Sequence, residues 1–209
     1  VERVVWQAVT LLGTGKHSGR VPVCRSFPRV IGGFAAECTG CARARPKSEA
    51  MFTLTQETED DWWEVEALYD LCFAPGREAL SSYRLRDNVA PVVSLSRVAR
   101  DADGILGGAI RFWPVRVGAA RCLLLGPVAV HPTAQGEGLG GALIRDAVEQ
   151  ARADGWARVI LVGDAPYYGR FGFEPLSGVI MPPPTNPDRV LGLALTSGAW
   201  DGITGKVRR

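Results

Sequence analysis

The stretch Gln135-Gly136-Glu137-Gly138-Leu139-Gly140-Gly141 stands between an apolar run ending at Val130 and an amphipathic pattern that predicts a helix from about Leu139 to Ala153. Glycines at that density let the backbone turn tightly and aim several N–H groups at one point, where the positive end of the helix dipole adds to them. A fully apolar segment, Arg158 to Val162, follows the helix, and its lack of alternation suits a strand buried on both faces. The three pieces form a β-α-β unit whose loop is built to hold a phosphate or pyrophosphate.

Nucleoside triphosphate hydrolysis is disfavoured, because no Lys-Ser or Lys-Thr follows the last glycine and the only lysine after position 47 is Lys206. The dinucleotide fingerprint G-x-G-x-x-G is literally present as Gly136, Gly138 and Gly141, with Asp164 at the end of the next strand. Against it, His131 to Gln135 separate the strand from the first glycine. The unit is also the single β-α-β in the chain. Before it, Pro91 to Ala99, Ile105 to Val117 (bent at Pro114) and Arg121 to Val130 read as three strands joined by short turns, an antiparallel meander rather than the opening of a parallel sheet. Earlier still, Met51 to Thr55 alternates like a strand, and Thr58 with three acidic residues after it starts a helix that runs to Pro75-Gly76. After the unit come a helical turn at Ala165 to Arg170, a strand near Val179 and a last strand, Val190 to Leu195.

The ordered motifs Val128-Ala129-Val130-His131-Pro132, Gln135-x-x-Gly138-x-Gly140 and Tyr168-Gly169-Arg170-Phe171-Gly172-Phe173 resemble the GNAT N-acetyltransferase superfamily, over roughly residues 51 to 209. The run from Leu161 to Phe173 is similar to a bacterial branch of predicted N-acetyltransferases. The resemblance implies an α/β fold with a mixed, centrally splayed β-sheet, helices on both faces, and acetyl-CoA as cosubstrate in the opening. It implies that Val128, Ala129 and Val130 pair with the pantetheine arm, and that Gln135, Gly136, Gly138, Leu139 and Gly140 hold the pyrophosphate. It places Tyr168 as general acid for the departing thiolate. A phenol with an ordinary pKa near ~10 is protonated at neutral pH and able to donate to a departing thiolate whose thiol has a pKa of about 8 to 9. Core packing beside Phe171 and Phe173 is the plain alternative for Tyr168, and Tyr167 reads as a packing or substrate-facing neighbour.

The base that takes the amine's proton has no assignment from the residues. His131 reads as a solvated loop histidine and Glu137 as a favourable charge at a helix start. No cysteine is paired with a base histidine, so direct attack within a ternary complex is expected rather than an acyl-cysteine route. The acceptor, a small-molecule or peptide amine, is expected to be set by the first helix and the loops Gly76–Asn88 and Pro182–Asp188. In the first loop Arg77, Arg84 and Arg86 either meet an anionic acceptor or the cofactor's phosphates, or form a solvated surface. The competing class is a non-catalytic acyl-CoA-binding or regulatory module.

With 24 basic and 22 acidic side chains the net charge is +2, which gives no field of one sign to gather nucleic acid or a membrane surface. No run of apolar residues reaches the ~18 needed for a membrane-spanning helix. The charge is uneven: residues 1 to 50 hold eight basic and three acidic side chains, with no hydrophobic period after residue 13, and periodic sequence begins at Met51. A disordered leader or a misassigned start is the expectation for residues 1 to 50, and the N-acetyltransferase domain for 51 to 209. Five cysteines, at 24, 38, 41, 72 and 122, and two histidines form neither a disulfide framework nor a metal set, so free thiols, a cytoplasmic protein and no metal are expected. A homodimer is compatible with all of this.

Overall fold

The structure is a computed structural model in which residues 52–73 and 76–209 are described. The leader, the Cys38–Cys41 pair, His17, Met51 and the helix stop at Pro75 lie outside the described residues.

Nine strands build one mixed, open sheet. They are β1 (Thr53–Gln56), β2 (Arg97–Arg100), β3 (Leu106–Val117), β4 (Ala120–Val130), β5 (Arg158–Val162), β6 (Glu174–Pro175), β7 (Val179–Ile180), β8 (Val190–Ala194) and β9 (Gly205–Arg208). The order is β1-β2-β3-β4-β5-β8-β6, with β9 pairing the end of β3 and also β7. From β1 to β4 all pairs are antiparallel, β4 and β5 are parallel, and β5 to β6 are antiparallel again. A doubly wound parallel sheet is thereby absent among the described residues, which removes the dinucleotide reading of Gly136, Gly138 and Gly141.

Helices α1 (Trp62–Phe73), α2 (Leu139–Ala153) and the short α3 (Ala165–Tyr168) connect the strands. Thr58 closes a capping box with Asp61 ahead of α1, and Val65, Leu68, Tyr69 and Phe73 recur at helical spacing to face Val98, Ala109 and Ala129. On the other face, α2 buries Leu139, Leu143, Ile144, Ala147, Val148 and Ala151 against Ala99, Ile110, Val128 and Val130. Alternate residues of β3 and β4 thus serve two different helices, as the pleat requires. Beyond α1 the first face is covered by the C-terminal segment, with Val179, Met181 and Val207 packed on Trp113, Val115 and Leu124.

The predicted strand Pro91–Ala99 is corrected: Val93–Leu95 is a 3-10 turn and only Arg97–Arg100 joins the sheet. The ladder irregularity of β3 also lies elsewhere than Pro114. Phe112 pairs with Leu125 and Ile110 with Val128, so Arg111 alone faces Gly126 and Pro127, a bulge on β4. Gly126 has φ +113°, a left-handed value suited to glycine.

Candidate active site

The site begins where β4 and β5 part. Their register holds only at Leu123–Val159 and Leu124–Ile160, after which β4 runs on through its bulge and β5 continues beside β8. The bond from the His131 N–H to the Gly107 carbonyl, 2.8 Å, fixes the alternation of the β3–β4 ladder. The hydrogen-bonded pairs are His131–Gly107 and Ala129–Ala109, so the backbone groups of Val128 and Val130 point away from β3 into the opening. There the Val130 carbonyl accepts the Gln135 side-chain amide at 3.2 Å and the Cys72 thiol at 3.5 Å. Of the expected strand residues, Val128 and Val130 offer backbone to the opening, while Ala129 offers its backbone to β3 and its side chain to α1.

The glycine loop closes one end. Gly136 (φ +87°) and Gly138 (φ +78°) are left-handed, and Gly138 is the N-cap of α2 with no side-chain cap. The first intrahelical bond runs from the Ala142 N–H to the Gly138 carbonyl, 3.0 Å. The N–H groups of Leu139, Gly140 and Gly141 therefore have no partner within the helix and project from its positive end. A Cβ at Gly138 would stand in open space, whereas one at Gly140 would stand 3.3 Å from both the Tyr167 hydroxyl and Val130 Cγ2. Gln135 holds the loop against Val130 with its side chain. His131 caps the short turn that follows it, its Nδ1 2.7 Å from the Thr133 hydroxyl.

Tyr168 walls the crevice between the strands, with Leu125, Pro127, Val128, Leu161 and Val162. It is 3% exposed, and its ring meets Tyr167 edge-on at 5.0 Å and Phe173 at 5.9 Å. Burial pushes its hydroxyl pKa well above the ordinary value, with the neighbouring Tyr167 adding to the shift and Arg189 opposing it, so the phenol stays protonated. Tyr168 thus packs on Phe173, as the plainer expectation had it, and the same ring lines the opening. Gly163, at the end of β5, makes this possible. A Cβ there would stand 2.4 Å from Tyr168 Cε2 and 2.6 Å from Leu161 Cδ1. A close approach between a strand end and a ring five residues on leaves no periodic mark in a sequence, and Gly163 was not singled out by one.

On the α1 side the crevice opens into a cleft of about 770 Å³, with Tyr83, Arg86 and Pro127 lining both compartments. Two arginines, buried Arg111 and half-buried Arg77, brace its wall. Arg111 on β3 donates from Nε and Nη2 to Glu57 and from Nη1 to Glu66, and Arg77 donates to Glu66 and Asp70. Burial pushes the Glu66 carboxyl up, but the hydrogen bonds from Arg111 and Arg77 outweigh it and hold it below its ordinary pKa. The expected acceptor elements are present in part: α1 and residues 77–87 line the cleft, residues 89–96 join them, and Pro182–Asp188 lies outside it. Ser81 and Thr185 hydroxyls, 2.5 Å apart, tie the two loops together. Arg84 is exposed, while Arg77 is braced and Arg86 is packed between rings.

Among the described residues Cys72 and Cys122 are free thiols, and no helix is long and apolar enough to cross a membrane.

Residues 94–175 match the family model described as the acetyltransferase (GNAT) domain. Two Escherichia coli K12 proteins, each named as an uncharacterized N-acetyltransferase, are similar to the chain. YjhQ is 49% identical over 55 residues, 26% of the chain and 30% of its own length. YhbS is 32% identical over 112 residues, 53% of the chain and 66% of its own length, so the chain spans less than two thirds of either. The crystal structure of YhbS in complex with CoA superposes with a TM-score of 0.67 at 27% identity, covering 76% of the chain and 89% of YhbS. A GNAT family acetyltransferase from Brucella melitensis, solved with acetyl-CoA, superposes with a TM-score of 0.59 at 32% identity, covering 77% of the chain and 96% of its own.

Proposed function

The chain belongs to the GNAT acetyltransferase family, and from that premise we propose that it moves an acetyl group from acetyl-CoA to a primary amine by direct attack in a ternary complex. The observation that carries this reading is the placement of Tyr168 in the wall of a crevice that opens between two parallel strands beside an uncapped helix start. The residues fit the cosubstrate. Backbone groups of Val128 and Val130 are turned to an edge that β5 has left, where an extended amide-bearing arm adds as a strand would. The projecting N–H groups of Leu139, Gly140 and Gly141 suit a pyrophosphate, and left-handed Gly136 and Gly138 let the backbone approach it. Gln135 contributes by bracing the loop. Acetyl-CoA, when bound, supplies an activated thioester carbonyl.

Attack by a neutral amine forms the C–N bond and breaks the C–S bond; the nitrogen gives up one proton to solvent, which restores the donor, and the departing sulfur takes one. Tyr168 holds one, because its buried phenol is more weakly acidic than an ordinary one and so cannot act as the base. Residues 51 to 209 form the N-acetyltransferase domain in this reading. The acceptor, a small molecule or a peptide, enters through the cleft lined by α1. One observation favours the non-catalytic alternative: the cleft carboxylates of Glu57 and Glu66 are engaged by arginines and are not poised as bases.

Thiol release from acetyl-CoA with a panel of amines decides between the two. Tyr168→Phe is expected to lower turnover roughly 10²-fold with acetyl-CoA affinity nearly unchanged, because only the proton donor is lost and the ring still packs. Equal loss of affinity and rate makes Tyr168 a cofactor contact instead. Acetyl-CoA binding by the wild type without thiol release to any amine favours the binding module.

A further inference from the structure

We propose that the acceptor is an amino carboxylate, its carboxylate held by the Arg86 guanidinium where the cleft meets the crevice. The inference rests on the acetyl-transfer reading and adds the substrate class. Of the three arginines in the cleft wall, Arg111 is matched by Glu57 and Glu66, and Arg77 by Glu66 and Asp70. Arg86 has no carboxylate partner among the described residues: the Tyr83 phenol is its polar neighbour, and its Nε and Nη1 are shut off from solvent without a well-formed hydrogen bond. A buried guanidinium left so is unfavourable until an anion arrives, and its planar fork suits a carboxylate in two-point contact.

The side chain is also held ready. Its guanidinium lies 4.2 Å from the Tyr83 ring centre and 4.7 Å from that of Trp113. Trp113 is itself fixed by a 3.0 Å bond from its Nε1 to the Val89 carbonyl. Burial draws the Arg86 pKa down to about 10, which leaves it charged at neutral pH. On the β4 side its Nη2 is 3.7 Å from where a Cβ of Gly126 would stand, so the group lies against the bulge at the mouth of the crevice. One guanidinium lines both compartments, so an anion that it holds in the cleft borders the crevice that the amine must enter, an arrangement suited to a molecule carrying both groups. The rim carries Glu59, Glu78 and Asp87, which repel a dianionic phosphate and favour an acceptor that brings an ammonium with its carboxylate. Trp62 and Val93, both exposed on the cleft lining, leave apolar surface for a side chain.

The test supplies the full chain with acetyl-CoA and each standard amino acid beside its carboxamide. Thiol release gives kcat/KM, and calorimetry on the CoA-loaded protein gives affinity. The best free acid is expected to exceed its amide by tenfold or more in kcat/KM, the scale of a charge-assisted hydrogen bond. Arg86→Gln brings that ratio close to one, and Arg86→Lys, which keeps the charge without the fork, retains part of it. Acids and amides used or bound equally, a ratio unchanged in Arg86→Gln, or no selective binding of any acid overturns the inference, even where other amines are acetylated and the acetyl-transfer reading stands. Selective binding of acids, lost in Arg86→Gln, supports it even without turnover. Failure to bind CoA then counts against acetyl transfer alone.

Discussion

Gly163 and Tyr168 together show how a single missing methyl shapes the site. The Tyr168 ring is clamped by Tyr167 and Phe173 and sits where a Cβ of residue 163 would be, 2.4 Å from Cε2. Leu161 can swing its tip aside, but the ring has nowhere to go except into the crevice. Gly163→Ala is therefore expected to cost about 1 to 3 kcal/mol of stability, the usual scale of overpacking. It should also lower kcat by tenfold or more while acetyl-CoA still binds through the glycine loop and the β4 edge. A melting scan and steady-state rates on one preparation check this. Full activity would mean that Leu161 alone absorbs the methyl and that the ring is not clamped. The left-handed turns at Gly136 and Gly138, by contrast, were legible in the sequence, because a run of glycines announces backbone freedom directly. Tyr168 was legible only through its place in a motif. The hydroxyl's burial depends on Gly163, Phe173 and β4, which meet only in the fold.

At the scale of elements, α1 is tied to the sheet by the chain Glu57–Arg111–Glu66–Arg77–Asp70 as well as by its apolar stripe. Glu66 is held below its ordinary pKa, so its contribution is present above the unfolded carboxylate range, about 4.3, and is lost as pH falls through the lower folded value. Glu66→Gln is expected to destabilise by on the order of 1 to 2 kcal/mol at pH 7, since two arginines lose charge-assisted partners. The gap to the wild type should narrow as pH drops below about 4. Urea midpoints at several pH values measure it, and a gap that does not change with pH would show that the carboxyl's ionisation is not linked to folding. The sequence foretold α2 at Leu139–Ala153 and β5 at Arg158–Val162 with their boundaries, since one has a full amphipathic period and the other an unbroken apolar run. It failed where the signal was thin. Val92, Val93 and Leu95 look like a strand, yet the Val92 N–H reaches the Phe112 carbonyl and Val93–Leu95 coils into a turn. The short strand β9 buries one residue, Val207, too few to show a period. The ion-pair chain joins residues far apart in sequence, and no local pattern could have announced it.

For the whole molecule, the sheet, both helical faces and the two clusters beside the opening are built from residues 52 onward. Because the sequence before Met51 shows no hydrophobic period after residue 13, a chain starting at Met51 is expected to melt within error of the full chain and to bind CoA with the same affinity. A fall of many degrees would place residues 1 to 50 among the folded domain's contacts. The central claim is that the opening between β4 and β5 receives acetyl-CoA, with Tyr168 at its reacting end. The most direct measurement is a crystal structure of the full chain grown with acetyl-CoA. Pantetheine amides are expected to pair with the backbone of Val128 and Val130, the pyrophosphate to lie on the N–H groups of Leu139 to Gly141, and the thioester sulfur to come within hydrogen-bond reach of the Tyr168 hydroxyl. Cofactor density outside the crevice, or a sulfur remote from Tyr168, would contradict it.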